Sequence, residues 1–116
     1  TSGVASTIAT ATLASGSMSG GWIQYTVESS NGTEFQVATG SVAFSITNKA
    51  GTISGTATIT GAEVLHSTSG TLTNTFAVTA AGLIQITPTV TVITASTLRV
   101  TYSVFSNSQQ AIVVPA

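Results

Sequence analysis

The stretch Trp22-Ile23-Gln24-Tyr25-Thr26-Val27-Glu28 decides the fold class. Ile23, Tyr25 and Val27 fall on one face and Trp22, Gln24, Thr26 and Glu28 on the other, the period-two pattern of a half-buried strand. Ser29-Ser30-Asn31-Gly32 follows, and Asn-Gly between alternating runs is the strongest short-range hairpin signal, so a two-residue type I′ turn is expected. The return strand carries Phe35 and Val37, then Val42, Phe44 and Ile46. Its apolar parity changes between Val37 and Val42, and Gly40 lies where a bulge or bend would make that change. Asn48-Lys49-Ala50-Gly51 reads as the next turn.

The pattern continues towards the C-terminus. Ile53, Gly55, Ala57 and Ile59 alternate with an unbroken Thr/Ser face. Residues 61–70 lack clean alternation and hold Glu63 and His66. Leu72, Phe76 and Val78 resume it, interrupted by Asn74, and Ala80-Ala81-Gly82 turns the chain. Ile84, Ile86, Val90 and Val92 follow, with Pro88 predicting an edge strand or a kink. Leu98, Val100, Tyr102 and Val104 alternate next, Asn107-Ser108 turns again, and Ala111, Ile112, Val113 and Val114 form a last apolar run. Residues 1–20 are Ser/Thr/Ala/Gly-rich, with Val4, Ile8 and Leu13 widely spaced; they read as an arm, an edge strand or a linker before a single domain over 21–116. No window has a helical period. Seven to nine short strands separated by turns predict an all-β antiparallel sandwich, jelly-roll or immunoglobulin-like.

Charge is scarce. Lys49, Arg99, Glu28, Glu34 and Glu63 are the only residues ionised at pH 7, 4% of the chain, against roughly 25% in an ordinary soluble domain. Two basic residues cannot neutralise a phosphate backbone, which argues against nucleic acid as a partner. The absence of Cys excludes disulfides and thiolate metal sites. No apolar run is long enough for a spanning helix, so no membrane insertion is expected. Thr and Ser together supply 39 of 116 residues, so polarity comes from hydroxyls, which Thr provides while fitting a pleated strand. A monomer with so little charge repulsion is colloidally fragile, and such a chain is better placed in an assembly.

Candidate chemistry is sparse. Glu28 and Glu34 flank the hairpin and are the two carboxylates a glycosidase would need, but they read better as solvated charges that discourage edge pairing. Glu63 and His66 share a loop; one His and one Glu are half a zinc site. A Ser–His–acid triad lacks both an Asp and a nucleophile elbow. Without Asp a calcium loop is implausible, and Ser19-Gly20-Gly21 precedes a strand rather than the helix of a phosphate loop. No enzyme activity, metal or cofactor is therefore expected. Asn31-Gly32-Thr33 is formally a glycosylation acceptor that the turn already explains. Trp22, Gln24 and Tyr102 are the candidate contacts for a glycan or a subunit interface, with Tyr25 and Gln36 as further sugar-binding side chains. Ile112, Val113 and Val114 are the candidate assembly strand, completing the chain's own sheet or a neighbour's.

Tyr25-Thr-Val-Glu-Ser-Ser-Asn-Gly-Thr-Glu-Phe-Gln-Val-Ala-Thr-Gly40, Val42-Ala-Phe-Ser-Ile-Thr-Asn-Lys-Ala-Gly51, Ser69-Gly-Thr-Leu-Thr-Asn-Thr-Phe76 and Thr94-Ala-Ser-Thr-Leu-Arg-Val-Thr-Tyr102 resemble small structural proteins of tailed-phage virions in strand-and-turn texture. The resemblance spans roughly Trp22 to Ser106 and carries no functional residue across. It implies a non-enzymatic virion protein, decorating a capsid or forming part of a fibre or tail, commonly as a homotrimer in contact with other virion proteins. Two alternatives stand beside it: an extracellular or cell-surface filament subunit using strand donation, and a module binding a host glycan.

Overall fold

A computed structural model describes residues 2–93 and 97–106, and the backbone of 112–115. Nine strands among these residues form an antiparallel β-sandwich: β1 (Ser6–Thr12), β2 (Met18–Ser30), β3 (Phe35–Lys49), β4 (Thr52–Ile59), β5 (Val64–Ser67), β6 (Leu72–Val78), β7 (Leu83–Val90), β8 (Thr97–Ser106) and β9 (Ile112–Pro115). One sheet has the order β6-β7-β1-β9; the other is β4-β3-β2-β8, with β5 pairing β3 beyond the end of β4. β1 and β2 lie in opposite sheets, unlike the neighbouring first strands of a constant-type immunoglobulin domain.

The spine is the β2–β3 hairpin, in register over thirteen pairs from Met18↔Thr47 to Ser30↔Phe35. The ladder is unbroken at Tyr25↔Gly40, so the expected bulge at Gly40 is absent. The inward row of β3 is instead Gln36, Ala38, Gly40, Val42, Phe44, Ile46 and Asn48, and Phe35 and Val37 face solvent. Gln36 holds the inward position because its amide is bonded there: Nε2 donates to the carbonyls of Ser69 at 2.7 Å and Thr91 at 3.2 Å. Gly40 is where the Tyr25 ring crosses β3; a Cβ there would sit 2.6 Å from the Tyr25 hydroxyl.

The ladder does slip elsewhere. β1 pairs β7 with an irregularity between Thr7 and Ala9, which turns both Ile8 and Ala9 into the core. Residues 1–20 thus contain an interior strand, flanked by β7 and β9, and the start of β2. β7 is interior too, contrary to the edge reading of Pro88. The proline is tolerated because β1 ends opposite Ile86, leaving Pro88 beyond that ladder, where its carbonyl accepts from Gly3 N at 2.6 Å.

The two hairpin turns exchange chemistry relative to expectation. Ser30 pairs Phe35, so the Asn31–Glu34 connection has four residues; Asn31 Oδ1 accepts from the backbone N–H of Thr33 (3.0 Å) and Glu34 (2.8 Å). The two-residue loop is Ala50-Gly51, with φ of +52° and +92°, the paired positive values of a type I′ turn. Asn48 supports it from below, accepting from Gly51 N and donating to the Leu13 carbonyl, each at 2.9 Å.

The core between the sheets is built from Ile8, Ile23, Val27, Val42, Phe44, Ile46, Leu72, Ile84 and Ile86. Asn107-Ser108 and Ala111 lie outside the described residues. β9 pairs β1 of the same chain over Ala9↔Pro115 to Thr12↔Ile112, which places the backbone of Ile112, Val113 and Val114 at the edge of the four-stranded sheet.

Candidate functional site

Because every strand of the five-stranded sheet stays in register, its outer face can be read row by row. Trp22 lies between Phe105 on β8 and Ala43 on β3, with Met18 two rows further out, past Gly20. Gln24 lies between Ser103 and Ser41, and Thr26 between Thr101 and Thr39, with Val64 beyond. Glu28 lies between Arg99 and Val37, with His66 beyond, and Ser30 lies between Thr97 and Phe35. β4 adds Ser54, Thr56 and Thr58 opposite Thr47, Ser45 and Ala43.

This face holds six of the nine large apolar side chains exposed among the described residues: Met18, Trp22, Phe105, Phe35, Val37 and Val64. They form two clusters, Met18/Trp22/Phe105 at one end and Phe35/Val37/Val64 towards the other, separated by hydroxyls and Gln24. Three shallow depressions run along the same face. The first, about 520 Å³, lies where Gly20 leaves a gap between Met18 and Trp22. The second, about 430 Å³, is bordered by Gln24, Thr39, Ser41 and Thr101. The third, about 400 Å³, is bordered by Glu28, Phe35, Val37 and Arg99. Gly21 brings β8 close: a Cβ there would lie 2.0 Å from the Phe105 carbonyl oxygen.

Of the residues singled out in the sequence, Trp22 and Gln24 share this face, and Trp22 keeps 43% of its surface exposed. Tyr102 does not join them. It pairs Tyr25 on the inner face and packs against the core, because its parity along β8 is that of Val100 and Val104. Tyr25 and Gln36 are buried and cannot meet a sugar. Glu28 and Glu34 are held apart: Glu28 lies in the outer row, while Glu34 accepts a hydrogen bond from Thr68 Oγ1.

Glu63 and His66 part company as well. His66 lies exposed in the outer row, whereas Glu63 turns inward, where its Oε2 accepts from Tyr25 Oη and, at 3.0 Å, from Asn74 Nδ2. Burial first, and then the bond to Glu63 and its charge, push the Tyr25 phenol well above the ordinary tyrosine range. The Tyr25 ring packs on Phe76 with centroids 4.9 Å apart. The network therefore ties β2, the loop before β5 and β6 together, and the sequence signal for it was Asn74 breaking an apolar row. Among the described residues no three His, Asp or Glu side chains group closely enough to hold a metal ion.

Comparison with protein-family models, curated proteins and solved structures finds no match to this chain.

Proposed function

We propose that the chain is a non-enzymatic structural component of a virion, in a capsid decoration, fibre or tail, acting through subunit interfaces as a homo-oligomer. The observation that carries the reading is the outer face of the five-stranded sheet, where most of the exposed large apolar side chains collect on one regular surface. Large apolar side chains gathered in clusters on one polar-rimmed sheet face point to an interaction surface. A chain with so few charges supports it further, since little repulsion opposes association. The strand-and-turn resemblance to tailed-phage structural proteins supplies the virion. The test is fractionation of particles from the source culture on a density gradient, followed by immunodetection of the chain. The reading expects it at a fixed multiple copy number in the particle band; recovery in cell-surface filaments or as free protein contradicts it.

A glycan-binding module is the second reading, favoured by exposed Trp22 beside Gln24 above a depression. Neutral oligosaccharides that quench Trp22 emission saturably, with the effect lost in Gln24→Ala, would support it. Strand donation has less support, because β9 already pairs β1 of its own chain.

A further inference from the structure

A surface of hydroxyls is complementary to its own copy, because each hydroxyl donates and accepts; a surface of like charges is not. The centre of the outer face is of the first kind, with Thr26, Thr39, Ser41, Thr101 and Ser103 around Gln24. The apolar clusters flank this centre. The Trp22 and Val37 rows are six residues apart, about 20 Å at ~3.3 Å per residue. The first cluster lies on the β2/β8 side and the second on the β3/β5 side, so a twofold axis in the sheet plane that runs diagonally along the line joining them maps each apolar cluster onto its own copy and the hydroxyl centre onto itself. The opposite charges of Glu28 and Arg99 stand in adjacent register positions, so their row presents no net charge to its copy, and Lys49, the last outward residue of β3, lies at the far end beyond Met18.

Size agrees with this symmetry. The molecule is elongated, 50 × 22 × 17 Å. The outer face spans about 40 Å along β2 and about 19 Å across four strands, on the order of 750 Å². A stable interface buries about 800 Å² on each partner. Met18, Val37 and Val64 offer a sugar no ring to stack on and no hydrogen bond, whereas another apolar sheet face accommodates all three.

We propose that a second copy of this chain covers the outer face of the five-stranded sheet, in an isologous face-to-face contact. The inference deepens the assembly reading, on which it rests, by naming its surface and its partner. The contact closes as a dimer, in place of the trimer that the resemblance implies.

Light scattering of the full chain across a dilution series tests it, with Trp22→Glu and Val37→Glu at the two ends and Thr73→Glu on the other sheet as control. Circular dichroism establishes that each variant is folded. The expected result is a wild-type dimer whose dissociation constant rises at least about 30-fold in either face variant and stays unchanged in the control. A stable oligomer indifferent to both face variants overturns this inference and leaves the assembly reading standing. A discrete trimer also overturns it. A monomer at every concentration overturns both, and saturable quenching of that monomer's Trp22 by a neutral oligosaccharide assigns the face to a glycan.

Discussion

The two faces of β3 differ by one residue of parity and by everything that covers them. Inward, Ala38, Val42, Phe44 and Ile46 meet the opposing sheet, and the polar members Gln36 and Asn48 are bonded to carbonyls of distant segments. Outward, Phe35, Val37 and Ala43 lie among hydroxyls, and among the described residues no second layer covers them. The difference teaches that apolar content alone does not mark the core of this protein. The inner face is specified by packing, while the outer face carries six large apolar side chains that the described residues leave exposed.

If that contrast holds, inner-face truncations must destabilise and outer-face ones must not. The largest effect is expected from Ile84→Ala, where the side chain is fully buried between the sheets. A loss of about 2–5 kcal/mol is expected from chemical denaturation. Gly21→Ala sharpens the comparison at the backbone: its Cβ would collide with the Phe105 carbonyl, forcing β8 away from β2. A loss of about 1–3 kcal/mol is expected by the same measurement.

Tyr25→Phe comes next. It removes the hydroxyl that Glu63 accepts from while keeping the ring against Phe76, and a loss of about 1.5 kcal/mol at neutral pH is expected. The same variant has a pH signature. Tyr25 is held protonated above the ordinary tyrosine value of about 10, so its contribution is fully present below pH 10. Above that, the unfolded chain releases the proton that the folded chain retains, and stability falls as pH rises. Denaturation midpoints measured from pH 8 upward should fall less steeply in Tyr25→Phe than in the wild type; parallel curves would refute the role given to the buried phenol. The smallest effect belongs to the outer face. Phe35→Ser should change unfolding free energy by no more than about 0.5 kcal/mol under dilute conditions, and a loss as large as that of Ile84→Ala would erase the distinction between the faces.

Much of the architecture was legible because β2, β4 and β8 keep strict alternation. Ile23, Tyr25 and Val27 point inward as their spacing requires, and the antiparallel sandwich follows. β3 was misread because its inward row contains a glutamine and a glycine. Only the Ser69 and Thr91 carbonyls, 33 and 55 residues away, make Gln36 acceptable there. β1 was obscured by the irregularity that turns Ile8 and Ala9 the same way. Asn31-Gly32 signalled a hairpin correctly but not its loop, since the Asn31 side chain caps two backbone N–H groups. For the site, the parity of Trp22 and Gln24 was sufficient, and the same argument applied to Tyr102 would have placed it inside. Phe35 and Val37 became visible as surface only when the register replaced the expected bulge, and Val64 only when the stretch without clean alternation proved to hold β5.

The central claim is that the outer face is covered in the assembled protein, and Trp22, the single tryptophan, reports on it directly. The decisive measurement is its emission maximum across a dilution series followed in parallel by mass. The account predicts emission shifted to the blue at high concentration, moving to the red as the oligomer dissociates and in step with it. An emission maximum that stays constant while the mass falls would contradict it.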